Sequence, residues 1–212
     1  MILVVAATSA ELAELQKLTC PDVQFLVAGV GLVETTFNLT QYLLAHPGIP
    51  GVINLGIAGA FPTSSVAVLD CCLATSETIG DLGVCFDHHM DNLDPSFLFM
   101  GNEYPCDNPF QAHFLEWFGR DNHSVHCDSF LSVSGVSGTT RRGAMINRHG
   151  CICENMEGAA VARVCSGLGI DWLEFRVVSN LVEDRDPSKW QIKPAIEKYN
   201  AIMKNYLQEF YS

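Results

Sequence analysis

Four short segments of the sequence combine carboxylate, amide or glycine residues in a way that could support chemistry on a small molecule. They are Glu11, the segment Gly56-Ile57-Ala58-Gly59, the segment Asn155-Met156-Glu157-Gly158 and the pair Ser179-Asn180. One carboxylate can take a proton from an attacking water while a second stabilises positive charge on the substrate. Each segment also has an ordinary structural interpretation, because an early glutamate favours the helix dipole and glycines are common in turns.

The elements that must position these residues are short apolar strands alternating with helices. Apolar runs predict strands, and apolar side chains spaced by three and four residues predict helices. The predicted strands cover residues 2–7, 23–28, 52–55, 66–78, 125–134 and 172–179, and the predicted helices cover residues 37–45, 110–118, 159–168 and 188–211. Each of the four segments then lies at a junction between elements, and the Gly56 segment is predicted to be a turn.

This alternation predicts an α/β protein, in which helices cover both faces of a sheet. We expect a single-domain three-layer α-β-α sandwich, and the longer β runs in the middle of the chain predict a mixed, curled central sheet. No internal repeat or linker divides residues 1–212, so one domain is predicted. Small molecules bind such sheets at the strand ends, where the four segments lie.

Charge and composition exclude several classes of protein. The chain has 12 Lys and Arg against 24 Asp and Glu, which gives a formal net charge of −12. Such a chain lacks the basic face needed to bind nucleic acid or an anionic membrane surface. Its apolar runs are shorter than the roughly 20 residues of a membrane span, and its start lacks the charged region of a signal peptide. We therefore expect a cytoplasmic protein.

The nine cysteines do not indicate a metal site. Cys71-Cys72 and Cys151-x-Cys153 lack the C-x2-C pairs or clustered histidines that bind zinc. Reduced thiols that pack as small apolar side chains are expected in a cytoplasmic chain. We expect neither a metal nor another cofactor.

The order and spacing of the motifs resemble those of the purine nucleoside phosphorylase and nucleosidase superfamily. The resembling segments are ILVVAATSAEL, VAGVGLVETT, VINLGIAGAF, ENMEGAAVARVC and FRVVSNLVEDRDPSKW, and residues 87–122 are not covered. They are similar to the hydrolase branch, which includes methylthioadenosine/S-adenosylhomocysteine nucleosidase and futalosine hydrolase. The resemblance implies a purine nucleoside N-glycosidase.

The resemblance also implies roles for individual residues. Three of them are implied to be catalytic. Glu11 corresponds to the carboxylate that activates the attacking water, Glu157 to the carboxylate that binds the ribose hydroxyls, and Asn180 to the residue that faces the purine. The other positions implied to bind substrate line the ribose, the base or the 5′ substituent, and they are Ala58, Gly59, Met156, Ser179 and Trp190.

One departure from the superfamily favours hydrolysis over phosphorolysis. The phosphorolytic branches usually carry Arg just before the glycine-rich segment and Ser or Thr within it. This chain has Asn54 and Ile57 at those positions. A phosphate site without its cation and hydroxyl is hard to build, so water is the expected nucleophile.

A second departure concerns the base. Adenosine-type nucleosidases carry Asp at the position of Asn180. An amide NH2 can donate to the O6 atom of a 6-oxopurine. A carboxylate at this position would instead place an acceptor oxygen against O6, which is itself an acceptor. The resemblance therefore implies hydrolysis of futalosine to hypoxanthine and dehypoxanthine futalosine, in menaquinone biosynthesis.

Two alternatives remain open at this point. One is a nucleosidase that releases adenine from 6-amino-6-deoxyfutalosine, methylthioadenosine or S-adenosylhomocysteine. The other is a nucleoside-binding protein without turnover, against which the presence of both Glu11 and Glu157 argues.

The resemblance further implies a homodimer in which the partner supplies part of the 5′ pocket. Residues 87–114 are the expected contribution. A guanidinium is the natural partner of the futalosine carboxylate, and Arg141, Arg142 and Arg185 are the candidates. The purine-stacking Phe of the adenosine-type enzymes is missing from residues 134–142, so backbone near residues 135–139 is expected to hold the base.

Overall fold

The computed structural model describes residues 1–98, 101–120 and 124–212. Its strands are β1 (Ile2–Ala6), β2 (Val23–Val27), β3 (Gly51–Ala60), β4 (Cys71–Ile79), β5 (Val84–Cys85), β6 (Met90–Asp91), β7 (Glu103–Pro105), β8 (Val125–Ser132), β9 (Cys153–Asn155) and β10 (Asp171–Leu181). Its helices are α1 (Ser9–Leu12), α2 (Leu32–Ala45), α3 (Pro109–Gly119), α4 (Thr140–Ile146), α5 (Gly158–Leu168) and α6 (Ile192–Tyr211).

Eight of the described strands form one mixed sheet that curls back on itself. β3 pairs in parallel with β1 and β10, and β1 pairs in parallel with β2. β10 pairs antiparallel with β4, which pairs in parallel with β8, and β7 pairs antiparallel with β4. β9 pairs in parallel with β8 and antiparallel with β3, and these two pairings close the sheet. The mixed, curled sheet predicted from the sequence is confirmed.

Helices cover both faces of this sheet. On one face Phe114 of α3 and Tyr199 of α6 belong to the same buried cluster as Phe175 of β10. On the other face Leu39 of α2 and Val161 of α5 pack in a cluster with residues of β1 and β3. Each fully buried side chain of this size contributes roughly 1.5–3 kcal/mol to folding. The predicted three-layer α-β-α sandwich is confirmed, whereas the single-domain division stays a prediction.

The predicted turn at Gly56 to Gly59 was wrong. β3 continues through these residues to Ala60, because β10 provides hydrogen-bonding partners along the whole of it. The predicted strand over residues 66–78 begins only at Cys71, since the preceding residues form a turn in which Leu69 has a φ of 70°.

Several helix boundaries also differ from prediction. The second helix begins at Leu32, directly after Gly31. The last helix begins at Ile192, because Pro187–Lys189 forms a 3₁₀ turn and the Gln191 N–H donates to the Ser179 carbonyl at 2.8 Å. Within the ranges that the structure describes, no helix has the length and apolar character needed to cross a membrane.

Candidate active site

A cavity of about 440 Å³ lies beside the carboxyl ends of β1, β3 and β10. Its volume falls within the roughly 300–1,000 Å³ usual for small-molecule sites. All eight residues predicted for the site line it, namely Glu11, Ala58, Gly59, Met156, Glu157, Ser179, Asn180 and Trp190. The structure therefore brings these residues together, and their individual roles stay predictions.

Glu11 reaches the cavity from the turn that follows β1. The Thr8 backbone N–H and Oγ1 donate to Glu11 Oε2 at 2.9 and 2.8 Å, an arrangement that caps α1. The Glu11 carbonyl accepts from Tyr199 Oη at 3.0 Å, which ties this turn to α6. These bonds restrict the carboxylate to one orientation. Glu11 is buried, with 7% of its surface exposed.

Glu157 lies immediately before α5 and is held by backbone from another element. The Gly31 N–H donates to Glu157 Oε1 at 3.0 Å. Gly31 has a φ of 87°, a conformation that favours glycine, and it precedes α2. The Gly29-Val30-Gly31 motif, which was not among the predicted site residues, thus helps to position Glu157.

The start of α5 is capped by Asn155, the last residue of β9. Asn155 Oδ1 accepts from the N–H groups of Glu157 and Gly158 at 2.9 and 2.7 Å. Asn155 therefore satisfies the first donors of the helix. The Glu157 side chain is left to face the cavity.

Arg176 of β10 pairs with Glu157 and Glu174, and it was also absent from the predicted site. Its Nη2 lies 3.7 Å from Glu157 Oε2, and its Nε donates to Glu174 Oε1 at 2.7 Å. The guanidinium lines the cavity and is 2% exposed, and Nη2 has no hydrogen-bond partner among the described residues. The sequence contained a sign of this pair. Glu174 and Arg176 are two residues apart in a mostly apolar strand, so their side chains lie on the same face of the sheet.

Gly56 provides the space in which Arg176 and Glu11 approach each other. A Cβ at this position would collide with Arg176 Nη1 and would lie 3.1 Å from Glu11 Oε1. The residue therefore acts as a strand glycine over which two charged side chains pass, and not as a turn glycine.

Asn180 is directed by an irregularity in β10. The register with β3 shifts between Val178 and Asn180, which places a bulge at Ser179. Bulges of this kind re-aim side chains beside sites. Asn180 Nδ2 donates to the Leu181 carbonyl at 3.0 Å, and Ser179 Oγ donates to Asn180 Oδ1 at 2.8 Å. The strand thus runs past the predicted end at residue 179.

Arg185 and Trp190 form a cationic, aromatic part of the cavity wall. Arg185 Cζ lies 4.3 Å from the centroid of the Trp190 ring, a cation–π distance. No carboxylate of the described residues lies within 4.0 Å of the Arg185 guanidinium, which leaves it able to bind an anion.

The other two candidate arginines lie outside the cavity lining. Arg142 Nη2 pairs with Asp81 at 3.3 Å and donates to the Gly135 carbonyl at 2.8 Å. Arg141 bonds to the Asp87 carbonyl and to His88. Both guanidinium groups are already engaged, so Arg185 is the better placed of the three.

Glu77 of β4 belongs to a buried polar cluster behind Glu157. Ser132 Oγ and Asn155 Nδ2 donate to its two oxygens at 2.8 and 2.5 Å. Burial raises the pKa of Glu77 well above its usual range, and the neighbouring Glu174 raises it further. The raised pKa favours the protonated form of Glu77, whereas Glu174 pairs with Arg176.

Burial also raises the pKa of Glu157, while Arg176 and the Gly31 N–H act to lower it. Burial acts to lower the pKa of Arg176, but Glu174 and Glu157 raise it above its ordinary value. Arg176 is thus a permanent cation that favours the charged form of Glu157. A charged carboxylate beside a fixed cation can stabilise a cationic sugar without losing its position.

Other predicted features lie elsewhere. Asn54 is buried in β3 and does not line the cavity, whereas Ile57 does. Val136 and Ser137 line the cavity in the segment that lacks an aromatic residue. No described residue of 87–114 lines it. Across the parts of the chain that the structure covers, no group of three or more His, Cys, Asp or Glu could hold a metal ion.

Comparisons with known proteins identify the family of this chain. The family model of the phosphorylase superfamily matches residues 3–210. The chain is 28% identical over 191 residues to a futalosine hydrolase of Thermus thermophilus, covering 87% of this chain and 81% of the relative. It is 33% identical over 152 residues to a futalosine hydrolase of Streptomyces coelicolor, covering 68% and 60%.

Solved structures show the same fold. Futalosine hydrolase of Helicobacter pylori strain 26695 aligns with a TM-score of 0.83 at 17% identity, over 99% of this chain and 97% of that one. A 5′-methylthioadenosine/S-adenosylhomocysteine nucleosidase of Helicobacter pylori aligns with a TM-score of 0.84 at 17% identity, over 99% and 98%. The chain belongs to the phosphorylase superfamily.

Proposed function

We propose that this protein is a cytoplasmic nucleosidase that hydrolyses futalosine to hypoxanthine and dehypoxanthine futalosine, in menaquinone biosynthesis. The observation that carries the proposal is the meeting of Glu11, Arg176 and Glu157 in a cavity that Asn180 also lines. The two relatives named futalosine hydrolase support the same substrate. The reaction needs no metal and no cofactor.

The charged groups match the charges that the reaction develops. When the bond between C1′ and the purine nitrogen breaks, positive charge develops on the ribose, which Glu157 stabilises from beside its hydroxyls. Glu11 and Arg176 face each other across Gly56. A water held between them loses its proton to Glu11 as its oxygen attacks C1′.

Water is the proposed nucleophile because the cavity offers little to a phosphate ion. The wall beside Gly56 is the apolar Ile57, and Asn54 lies buried outside the cavity lining. The nearby cation, Arg176, is already paired with Glu174 and lies beside Glu157. A phosphate would have to displace carboxylates to reach it.

The proposed 5′ group binds at the cation–π pair. Futalosine carries a carboxylated aromatic group, which combines an anion with an apolar ring. Arg185 supplies the cation, and Trp190 with Ile192 and Ile196 supplies an apolar wall. This arrangement supports a substrate with an acidic aromatic 5′ substituent over one with a small thioether.

We also propose a homodimer formed through α2. Val33, Phe37 and Leu44 project from this helix with exposures of 80, 59 and 66%. Val30, just before the helix, lines the cavity, so a second copy seated here would cover part of the opening. The stretch 87–114 is the alternative interface, and its Phe97 is 79% exposed.

A substrate panel tests the proposed function. The protein is incubated with futalosine, 6-amino-6-deoxyfutalosine, methylthioadenosine and inosine, in phosphate-free buffer with a chelator and again with phosphate. We expect hypoxanthine from futalosine, free sugar as the other product, and equal rates in both buffers. A sugar phosphate product, or no turnover of futalosine, would contradict the proposal.

The second candidate is a nucleosidase that releases adenine. Asn180 favours it in one respect, because exchanging the amide N and O atoms would present a carbonyl to an adenine amine. The Ser179 hydroxyl could then accept where it now donates, but the exchanged oxygen would face the Leu181 carbonyl, to which Nδ2 now donates. Hydrolysis of 6-amino-6-deoxyfutalosine or methylthioadenosine in the same panel would reveal this activity. A binding protein without turnover is disfavoured by the assembled carboxylates.

A further inference from the structure

Glu154 is a buried carboxyl in the cavity to which no role has been assigned so far. It lies on β9, opposite Gly59 of β3, and Asn180 of β10 lies opposite Gly59 on the other side. A Cβ on Gly59 would lie 3.2 Å from Asn180 Nδ2 and 3.8 Å from Glu154 Cγ. The two side chains therefore flank one glycine on one face of the sheet, and both line the cavity.

The Glu154 carboxyl is held in place by Ser137. The Ser137 N–H donates to Oε1 at 2.8 Å, and Ser137 Oγ donates to Oε2 at 2.7 Å. The side chain is 5% exposed. Two bonds to one residue orient the carboxyl, while its oxygens keep unused capacity for a third group.

The reaction requires a proton that Asn180 cannot supply. When the glycosidic bond breaks, its electron pair stays on the purine, which then leaves as an anion unless it gains a proton. An amide is not an acid, and Asn180 Nδ2 already donates to the Leu181 carbonyl. A carboxyl that faces the same part of the cavity can provide this proton.

We propose that Glu154 is the general acid of the reaction, donating its proton to the departing purine while Asn180 binds the 6-oxo group. The bond from C1′ to the purine nitrogen breaks, water oxygen bonds to C1′, one water proton passes to Glu11, and the Glu154 proton passes to N7 of the base. Glu154 is left as a carboxylate and regains a proton from solvent, while Glu11 releases its proton to solvent. The inference rests on the proposed function and adds a catalytic residue to it.

The surroundings of Glu154 favour its protonated form, which a general acid requires. Burial raises its pKa, the two Ser137 bonds and Arg142 lower it, and Asp81 raises it. Arg142 is itself paired with Asp81, so their charges largely offset each other. Because the pKa is raised, the protonated form persists to higher pH than in an exposed glutamate. Activity is then lost as the pH rises through this pKa.

The test is the dependence of kcat on pH with futalosine as substrate. Wild-type protein, Glu154→Gln, Ser137→Ala and the control Glu14→Gln are compared. Glu14 is an exposed carboxylate whose ion-pair partner among the described residues is Lys17, so its loss should change nothing. We expect Glu154→Gln to lower kcat by about 10²-fold or more and to abolish the alkaline limb of the profile, with KM changed only a few-fold.

Ser137→Ala keeps the carboxyl and removes one bond that stabilises its charged form. We expect the alkaline limb to move to higher pH, whereas a limb caused by ionisation of the substrate would stay in place. This variant decides the matter if Glu154→Gln does not fold. A retained limb in Glu154→Gln, a raised KM with unchanged kcat, or an unmoved limb in Ser137→Ala would overturn the proposal. Failure of wild-type protein to hydrolyse futalosine would instead reject the proposed function.

Discussion

At the scale of single residues, the site consists of charged side chains that orient one another through ion pairs and close contacts. Arg176 lies between Glu157 and Glu174, and Gly56 lets it approach Glu11. A guanidinium that is fully buried must keep its carboxylate partners, since an unpaired buried charge is strongly destabilising. Its position therefore depends on Glu174, whereas its effect on the reaction depends on Glu157 and Glu11.

We expect Glu11→Gln and Glu157→Gln each to reduce turnover by about 10²-fold or more, because one change removes the base and the other the charge beside the ribose. The measurement is kcat for futalosine, with circular dichroism melting as a check on folding. Glu14→Gln is the matched control. A Glu11→Gln protein with near-normal turnover would exclude the water-activating role.

We expect Asn180→Asp to shift preference from 6-oxo toward 6-amino purines, because a carboxylate opposes O6 and accepts from an amine. A mismatched polar group costs about 1–3 kcal/mol, or roughly ten- to a hundredfold in specificity. The measurement is the ratio of kcat/KM for futalosine and 6-amino-6-deoxyfutalosine in both proteins. An unchanged ratio would mean that Asn180 does not contact the 6-position.

Glu77 leads to a prediction about stability and pH. Because the pKa of Glu77 is raised in the fold, the folded protein keeps a proton that the unfolded chain loses. The stability linked to this proton is fully present below the pKa of the unfolded chain and is lost as the pH rises through the pKa of the folded protein. We expect unfolding free energy between pH 5 and 8 to fall more steeply with pH in wild-type protein than in Glu77→Gln, by at most about 1.4 kcal/mol per pH unit. Denaturant titrations measure both slopes, and equal slopes would show that Glu77 is ionised in the fold.

At the scale of elements, the site depends on how β3, β10 and the start of α5 approach one another. β3 and β10 run side by side from Gly51 to Ala60, so side chains of one strand pass over glycines of the other. The helix start comes equally close, because a Cβ on Gly158 would collide with carboxylate oxygens of Glu77 and Glu174. Close approach of backbone, and not only side-chain chemistry, therefore determines how these elements pack beside the cavity.

We therefore expect Gly158→Ala to destabilise the protein by about 1–3 kcal/mol, because both carboxyl groups are buried and hydrogen-bonded and cannot move aside cheaply. Gly119→Ala is the matched control, since Gly119 is also a terminal helix glycine and a Cβ added there would meet no described atom within 4 Å. Urea unfolding of both variants measures the difference. Equal stability of the two would show that α5 can shift away from the sheet.

At the scale of the whole molecule, the exposed apolar face of α2 is the feature that a monomer does not explain. Apolar side chains at positions 33, 37 and 44 repeat on one side of the helix, next to Val30 in the cavity wall. A surface of this kind usually marks an interface. Assembly and activity would then be coupled through the cavity opening.

We expect Phe37→Glu to convert a homodimer into monomers and to weaken futalosine binding, because a charge would be buried at the interface. Phe97→Glu, in the alternative stretch 87–114, should leave the dimer intact. Sedimentation velocity measures the assembly and KM measures binding. Dissociation by Phe97→Glu alone would place the interface in that stretch instead.

Local sequence patterns determined the fold class and the predicted residues of the site. Apolar runs and helical spacing are local properties, so they indicated alternating strands and helices and a curled, mixed sheet. The motifs around Glu11, Glu157 and Asn180 each resemble the superfamily within a few consecutive residues, so the sequence alone identified them. In the structure they line one cavity. The pattern also included Glu174 and Arg176, but nothing local distinguished their function from that of other charged residues.

Only the tertiary structure decided which groups meet. Arg176 joins Glu157 because β10 runs beside β3 and α5 begins across it, and Gly31 holds Glu157 from a position 126 residues away. Gly56 is a strand residue because β10 continues to pair with β3 past the predicted turn. Glu154 faces Asn180 across Gly59 because β9 closes the sheet. Strand register and sheet closure arise from non-local pairing, which no single segment of the sequence contains.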